Sequence, residues 1–552
     1  MKHLAVGLAV LLLCAPLAGH AATSAEAPCG TVIVPTALGM GPLPAPAATM
    51  DPALMTGSIY ESEAINLLYR PLVWVNGEQQ IDWTESMASA ITPSADRTRF
   101  TVTLRPWHWS DGTTVTAADV LYDWQLIKSL GAAYYDYKTG GVPDLIRDIT
   151  APDDRTLVFD LTRPVNPYWF ELAGLGQFFP LPRQAWGRYS VAQQQSLQSK
   201  ASFYSVVDGP FRLASLTLGR NAVFVPNSRY DGHKPRIARF VMDFLQGTDP
   251  LEALEAGDLD MASIPFDLMP AMRRLHGVRT VTIGHAPVLA TLIPNLAGAS
   301  ARPFLRDVRV RQAIARAIDQ QRIVDSVYHG NAMLQYGFVP SSMSAFLAPA
   351  LAHGASPLSH DPAAARRLLE AAGYHPGPDG IRVGHGQRLA FTVLVSAGAE
   401  ERIMTLQLMQ ADLARVGIAV DIKEVEFNQL IARMLGPPAG WDAVFMEWTI
   451  TSYPDPTQWF ATGSSGNYTH YSDKRMDALL DNATGSADRA ALDRLQMYVL
   501  EQQPMIFLPA GSYTELVRPG IGGVQRFLSA NGNWTPEYLT LGGPLACGAP
   551  VG

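Results

Sequence analysis

Residues Arg99 to Trp124 read RFTVTLRPWHWSDGTTVTAADVLYDW. From Arg99 to Leu104 apolar and polar side chains alternate, the pattern of a strand with one buried face. Ser110-Asp111-Gly112-Thr113 is a turn signal, because glycine takes positive φ without steric cost. Thr116 then stands three positions before Asp119, the spacing of a capping box. Val120, Trp124 and Ile127 recur behind it at helical intervals. Residues 99–128 are therefore expected to fold as strand, turn and helix. Trp107 and Trp109 beside the turn are expected to anchor it by packing, with His108 between them a packed residue and not a ligand.

The second half of the chain carries the same alternation of periods. Val310, Ala313, Ile314, Ala317, Ile318 and Val324 form one apolar helical stripe. Asp361-Pro362 opens a helix, with Asp as cap and Pro in the first turn, and Gly373 ends it. Leu368, Leu369 and Ala372 are its inward face. Ile403, Leu406, Met409, Leu413 and Val416 mark a further helix, stopped by Gly417. Ile418, Val420 and Ile422 alternate as a strand, and Ala443 to Met446 form another. Helices between strands imply a sheet covered by crossover connections, an α/β fold. Ligands of such sheets bind at strand ends or between lobes.

The chain of 552 residues is 47% hydrophobic and 17% charged, a globular composition too long for one core, so two or three domains are expected. The net charge of −8 comes without a long basic run, which argues against nucleic-acid binding. Met1-Lys2-His3, the apolar run Leu4–Leu13 and the small residues to Ala22 read as a signal peptide, residues 1–22. The run is too short to span a bilayer. Cys14 follows Leu13, where a lipobox has a small residue, so a lipid anchor there is not expected. Removal of the signal leaves Cys29 and Cys547, an even pair in an oxidising compartment and a candidate disulfide joining the chain ends. Residues 35–52, rich in Pro, Ala and Met, are expected to be irregular surface.

Catalytic and metal motifs are missing from the sequence. Gly463-Ser464-Ser465-Gly466 lacks the spacing of a nucleophile elbow, and there is no zinc-binding H-E-x-x-H, Walker loop or dinucleotide fingerprint. The adjacent acids Asp153-Asp154 and Glu400-Glu401 point different ways on a regular element, so neither forms a dyad. No catalytic residue, metal site or cofactor is expected. The chain instead supplies 11 Trp, 19 Tyr and 20 Phe, enough to furnish both cores and a cleft wall.

The stretch 99–124, with Leu104-Arg105, Trp109-Ser110-Asp111-Gly112 and Thr116-Ala-Ala-Asp-Val120, resembles the signature of the extracellular solute-binding family 5. These are the oligopeptide- and dipeptide-binding receptors of ABC transporters. Met50-Asp51-Pro52, Asp153–Phe159, Gly209-Pro210-Phe211, Asn227–Lys234, Leu254–Asp260, Asp307–Asp319, Tyr453-Pro454-Asp455-Pro456 and Asn467-Tyr468 resemble further family segments in order, over about residues 30–540.

The resemblance implies a periplasmic-binding-protein-like two-lobed α/β fold with three domains and a cleft between lobes. Lobe one would comprise residues 23–55, 201–289 and 501–552, an extra domain residues 56–200, and lobe two residues 290–500. It implies a periplasmic, monomeric, non-enzymatic receptor that captures peptides or peptide-like solutes. The captured solute would pass to a membrane permease and its ATPase. Trp448 is expected as a stacking wall, Thr451 and Ser452 as hydrogen-bonding groups, and Tyr453 and Asn295 as further ligand contacts. Peptide-binding members place an Asp after the Trp to pair with the peptide's α-ammonium; here that position falls on Thr451 or Ser452. Asp455 is assigned to the turn, and Glu447 could supply an anion. The neutral replacement opens an alternative: a modified peptide, a metal chelate or a glycoside. A secreted hydrolase on this fold is the rival from another class.

Overall fold

The computed structural model describes residues 28–35, 50–54, 59–244, 250–263, 266–272, 277–285, 287–297, 302–354, 356–398, 400–450, 452–527 and 533–545. The signal segment, Cys14, Thr451, Cys547 and most of the Pro/Ala/Met-rich stretch lie outside these residues. Cys29 is disulfide-bonded.

The deciding stretch folds as its pattern predicts. Strand β3 (Arg99–Leu104) buries Phe100, Val102 and Leu104 and exposes the residues between them more. The helix Ala117–Leu130 follows the turn, and Asp119 Oδ2 accepts from Thr116 N at 2.8 Å and Thr116 Oγ1 at 3.1 Å. Trp107 and Trp109 are fully buried; their indoles donate to Asp208 O at 2.9 Å and Asp119 Oδ2 at 3.4 Å. His108 departs from expectation. Two neighbouring indoles that point inward turn it outward, and its Nδ1 lies 3.1 Å from Asp231 Oδ2 with the side chain 46% exposed.

Among the described residues four sheets have four or five strands, three of which make up the bulk of the fold. One is β2 (Ala88–Pro93), β3, β5 (Thr156–Leu161) and β4 (Ile146–Asp153) in that order, all antiparallel. A second sets β1 (Cys29–Pro35) beside β8 (Ile237–Asp243), β7 (Asn221–Pro226) and β6 (Phe211–Thr217), with β1 parallel to β8. The third has the order β17 (Ala419–Val425), β16 (Ala390–Ser396), β18 (Ala443–Thr449), β11 (Val288–Pro294) and β19 (Ile506–Leu508). Here β16 runs parallel to β17 and β18, and the helices Glu400–Arg415 and Phe427–Leu435 make the crossovers. β11 is antiparallel to both β18 and β19. A small sheet of β13 (His375–Pro376), β14 (Arg382–Gly384) and β15 (Gln387–Arg388) caps this lobe.

The chain passes between lobes twice, and the two passages lie side by side. β10 (Arg279–His285) pairs with β20 (Ala510–Val517), His285 opposite Ser512; across the passage β11 pairs with β19, Ala290 opposite Leu508. β9 (Met261–Ser263) and β12 (Ala332–Met333) add to β20. Pro287 and Pro509 stand at the crossings. At Gly511 a Cβ would collide with the Phe266 ring, so only glycine lets the second passage lie this close to the first lobe.

Helix ends follow the sequence signals with one exception. Asp361 accepts from Ala364 N at 2.8 Å to cap Pro362–Ala371, which buries Leu369, and Gly373 and Gly417 take φ of 87° and 88° past their helices. The stripe 310–324 is two helices, Val308–Ala317 and Gln320–Ser326. Ile318 is extended at φ −78°, ψ 123°, and Asp319 caps the second helix by accepting from Arg322 N at 3.1 Å. An internal aspartate able to cap competes with helix continuation, while the apolar spacing carries on across the break.

Candidate ligand-binding site

The register of the third sheet places the ends of its strands relative to the crossing. β18 ends at Thr449, which faces Val288, the first residue of β11 after the Pro287 crossing. β16 and β17 run parallel to β18, so their carboxyl ends, at Ser396 and Val425, lie at this same hinge-side edge. Ile450 N donates to Pro287 O at 2.7 Å and ties the exit of β18 to the crossing.

Alternation along β18 separates Glu447 from Trp448. Trp448 is half-buried on one face. Its Nε1 donates to Thr291 Oγ1 at 3.0 Å, and Thr291 Oγ1 donates to Met446 O at 3.0 Å. The indole stacks on Tyr468, centroids 5.9 Å apart at 12°, and meets Trp459 at 5.8 Å and 45°. Trp459 and Tyr468 are half-buried too. The three rings form an aromatic wall with the indole donor of Trp448 already engaged.

Glu447, on the opposite face, is bound to Arg402 of the helix Glu400–Arg415, with Nη2 at 2.6 Å and Nε at 2.8 Å from Oε2. Buried Tyr328 lies near this pair; burial first, and then the charge of Glu447, push its phenol above the usual range. Glu447 is thus not an anion aimed at the aromatic wall.

Beyond β18 the chain turns through Ser452 and Tyr453, both buried. The Tyr453 ring meets Phe346 edge-on at 5.0 Å, and its hydroxyl accepts from Asn166 Nδ2 at 3.4 Å. Burial, and next the charge of Asp455, raise the Tyr453 phenol pKa. Asp455 belongs to the turn: Oδ1 accepts from Thr457 N at 2.9 Å, and Oδ2 accepts from Trp169 Nε1 at 2.8 Å.

The structure therefore brings Trp448, Ser452 and Tyr453 onto one continuous segment. Asn295 is separated from them. It lies six positions past Leu289, the partner of Trp448, so it is about 20 Å along the sheet. It is fully buried, donating from Nδ2 to Trp441 O at 2.9 Å and accepting from Ala297 N at 3.2 Å. The bond to Trp441 ties the far end of β11 to the residues that enter β18. Trp459 and Thr291 were not singled out by the sequence, and Tyr468 was noted only within the family segment Asn467-Tyr468, not as a site residue. The alternation Thr291/Ile293 on a buried strand was the available signal for Thr291; Trp459 sits in the short helix Thr457–Phe460 and Tyr468 in the loop after it, and no periodicity marks either ring as facing Trp448.

Among the described residues no cluster of His, Cys, Asp or Glu could hold a metal ion, and no helix is long and apolar enough to cross a membrane.

Two lobes joined by paired crossings, with an aromatic wall at the strand ends beside them, define a hinged binding protein of the periplasmic type. Residues 82–470 match the family described as Bacterial extracellular solute-binding proteins, family 5 Middle. The chain belongs to the bacterial extracellular solute-binding proteins, family 5; it is the solute-capturing component of an ABC importer and acts outside the cytoplasm. It is 28% identical over 425 residues to Protein XP55 of Streptomyces lividans, covering 74% of this chain and 72% of that protein. Its fold is similar to that of the oligopeptide-binding protein AppA of Bacillus subtilis, solved with a nonapeptide, at a TM-score of 0.68 and 20% identity. That match covers 94% of this chain and 100% of the other. NikA of Brucella suis, solved with Fe(III)-EDTA, is similar at a TM-score of 0.75 and 21% identity, covering 93% and 100%.

Proposed function

We propose that the protein is a periplasmic, monomeric receptor for peptides or peptide-like solutes. It encloses them between its lobes and presents the closed form to a membrane permease and its ATPase. Lobe two corresponds to about residues 288–508, past the expected boundary at 500 because β19 joins its sheet, the extra domain to 56–200, and the remainder forms lobe one. The observation that carries the reading is the half-buried wall of Trp448, Trp459 and Tyr468 at the hinge-side strand ends, with Ser452 on the same segment. Aromatic faces take up apolar or planar groups with little selectivity, as a receptor for varied side chains needs. The protein acts by binding: solute shifts an equilibrium between open and closed lobes by its differential affinity for the two.

A second reading within the same site concerns the ligand's amino end. Glu447 is engaged with Arg402 and Asp455 with Trp169 and Thr457, and the other described hydroxyl-bearing residues of the segment, Thr449, Ser452 and Tyr453, are neutral. A buried ammonium needs a carboxylate partner. The arrangement favours solutes without a free α-ammonium, such as N-blocked or otherwise modified peptides, metal chelates or glycosides.

A thermal-shift screen of mature protein, unfolded and refolded to remove captured solute, tests both. Ligand at about 100 times its Kd adds about 2.7 kcal/mol, a shift of a few degrees. Stabilisation by N-acetylated tri- to pentapeptides above their free-amine forms is expected. Equal or greater stabilisation by free amines overturns the second reading, and a response to chelates or sugars alone overturns the first.

A further inference from the structure

The last turn of the helix Lys474–Gly485 ends against the extra domain. Its final carbonyls have no partners within the helix and must find donors elsewhere. They find them on a segment that follows β5 and on Arg97 in the turn between β2 and β3. Asn166 N donates to Thr484 O at 2.7 Å, Asn166 Nδ2 donates to Ala483 O at 3.2 Å, and Arg97 Nη1 donates to Gly485 O at 2.9 Å. Arg163 Nη2 reaches Thr484 Oγ1 at 3.5 Å, so two cations stand at the negative end of the helix dipole.

The same short segment also grips the site. Asn166 Nδ2 reaches Tyr453 OH, and Trp169 Nε1 donates to the Asp455 carboxylate at 2.8 Å. Tyr168 lays its ring 5.8 Å from Phe346 and 6.5 Å from Tyr453. Val165 and Trp169 are buried and Asn166 is 9% exposed, so the centre of the contact is buried, with Tyr168 at its edge. The Asn166 side chain is oriented from within its own segment. Its Oδ1 accepts from Tyr168 N at 3.1 Å, which fixes the amide and leaves Nδ2 directed across the interface. Arg97 takes a φ of 60°, a left-handed conformation uncommon outside glycine, and its side chain bonds Val165 O as well as Gly485 O.

We propose that the segment 163–169 is a clasp through which the extra domain positions the ligand-bearing segment Ser452–Asp455, and that this clasp must open before solute leaves. The paired crossings at Pro287 and Pro509 join the second lobe to the first; the clasp joins it to the extra domain. The hinge is covalent and permanent. The clasp is made of hydrogen bonds and ring contacts, which a lobe rotation can break and remake. Asn166, Trp169 and Arg97 are positioning residues that act through Tyr453 and Asp455. The proposal rests on the reading of the Trp448–Asp455 segment as the solute site.

Two conservative variants test it. Trp169→Phe keeps the ring and removes the donor to Asp455. Asn166→Asp keeps the acceptor for Tyr168 N and removes the Nδ2 donor. In ligand-free wild type, hydrogen exchange at the Asn166 amide should be slow, because that amide bonds across the interface. It should accelerate about tenfold in Trp169→Phe, with a larger radius of gyration by X-ray scattering. With a pool of free and N-acetylated tri- to pentapeptides as probe, both variants should release peptide about tenfold faster with the ranking of peptides unchanged. A structural role alone would lower the melting temperature and leave release unchanged. Exchange at Asn166 as fast as in an exposed loop of the wild type overturns the clasp. So does peptide release at the wild-type rate from both variants. If no peptide binds, the peptide reading fails, while exchange and scattering still decide the clasp.

Discussion

Trp448, Thr291 and Met446 form a short relay, indole to hydroxyl to carbonyl, that fixes the indole plane before any solute arrives. Preorganisation of this kind lowers the cost of binding. Ser452, buried three residues past Thr449, is where a single change should rewrite preference. Ser452→Asp should favour free-amine peptides over their N-acetylated forms by about tenfold, since a buried carboxylate and an ammonium stabilise each other. Competition binding with matched peptide pairs reads this; no change in the ratio removes Ser452 from the amino-end subsite. At this scale the sequence was partly legible. Trp448 was expected from the resemblance alone, as the Trp that precedes Tyr453-Pro454-Asp455-Pro456. Glu447 was left open, and β18 settles it, because alternation sends neighbours to opposite faces. Asn295 was expected as a ligand contact; in sequence an asparagine at a strand end looks the same whether it meets a solute or, as its Nδ2 does, the backbone of Trp441.

Capping carboxylates decide several elements. Asp119 is 4% exposed and accepts from Thr116 N, Thr116 Oγ1 and Trp109 Nε1. Its pKa is raised, chiefly by burial, with the Thr116 bonds opposing. Asp119→Ala should destabilise the protein by about 1–2 kcal/mol, read by urea unfolding. A loss below about 0.3 kcal/mol would mean that the cap is redundant with helix packing. The elements around residues 99–130 and 361–425 were legible because local chemistry and burial agree there. The break at Ile318–Asp319 was not, since the apolar period runs through it and only the capping competence of Asp319 marks it. The clasp was equally hidden: Arg97, Asn166 and Thr484 are far apart in sequence, and no periodicity encodes a carbonyl that is capped by another domain.

Across the whole molecule, buried acids set the response to pH. Burial pushes Glu515 up to about 8, with a Ser263 hydrogen bond opposing, and Asp51 and Glu171 up to about 7. In the unfolded chain such groups titrate near 4. Between these values the native state holds more protons, so stability is full below about pH 4 and is lost as pH rises through 7 to 8. The acids held low by hydrogen bonds, such as Asp96 and Asp153, act only below that window. The melting temperature should therefore fall from pH 5 to pH 8, and Glu515→Gln should flatten the slope. A flat wild-type profile, or a slope unchanged in the variant, contradicts this. The two-lobed architecture itself was legible from the resemblance that begins at Arg99. The hinge was not, because the pairing of β10 with β20 and of β11 with β19 joins segments over two hundred residues apart.

In the proposed function, solute is held at the aromatic wall between the lobes. Isothermal titration of refolded, solute-free protein with free and N-acetylated tri- to pentapeptides tests it most directly, run beside Trp448→Ala. One saturable site per chain is predicted, weakened about tenfold or more in Trp448→Ala, whose melting temperature stays within a few degrees of wild type. Identical titrations of the two proteins, or unchanged affinity with a lowered melting temperature, would place Trp448 in the core and the solute elsewhere.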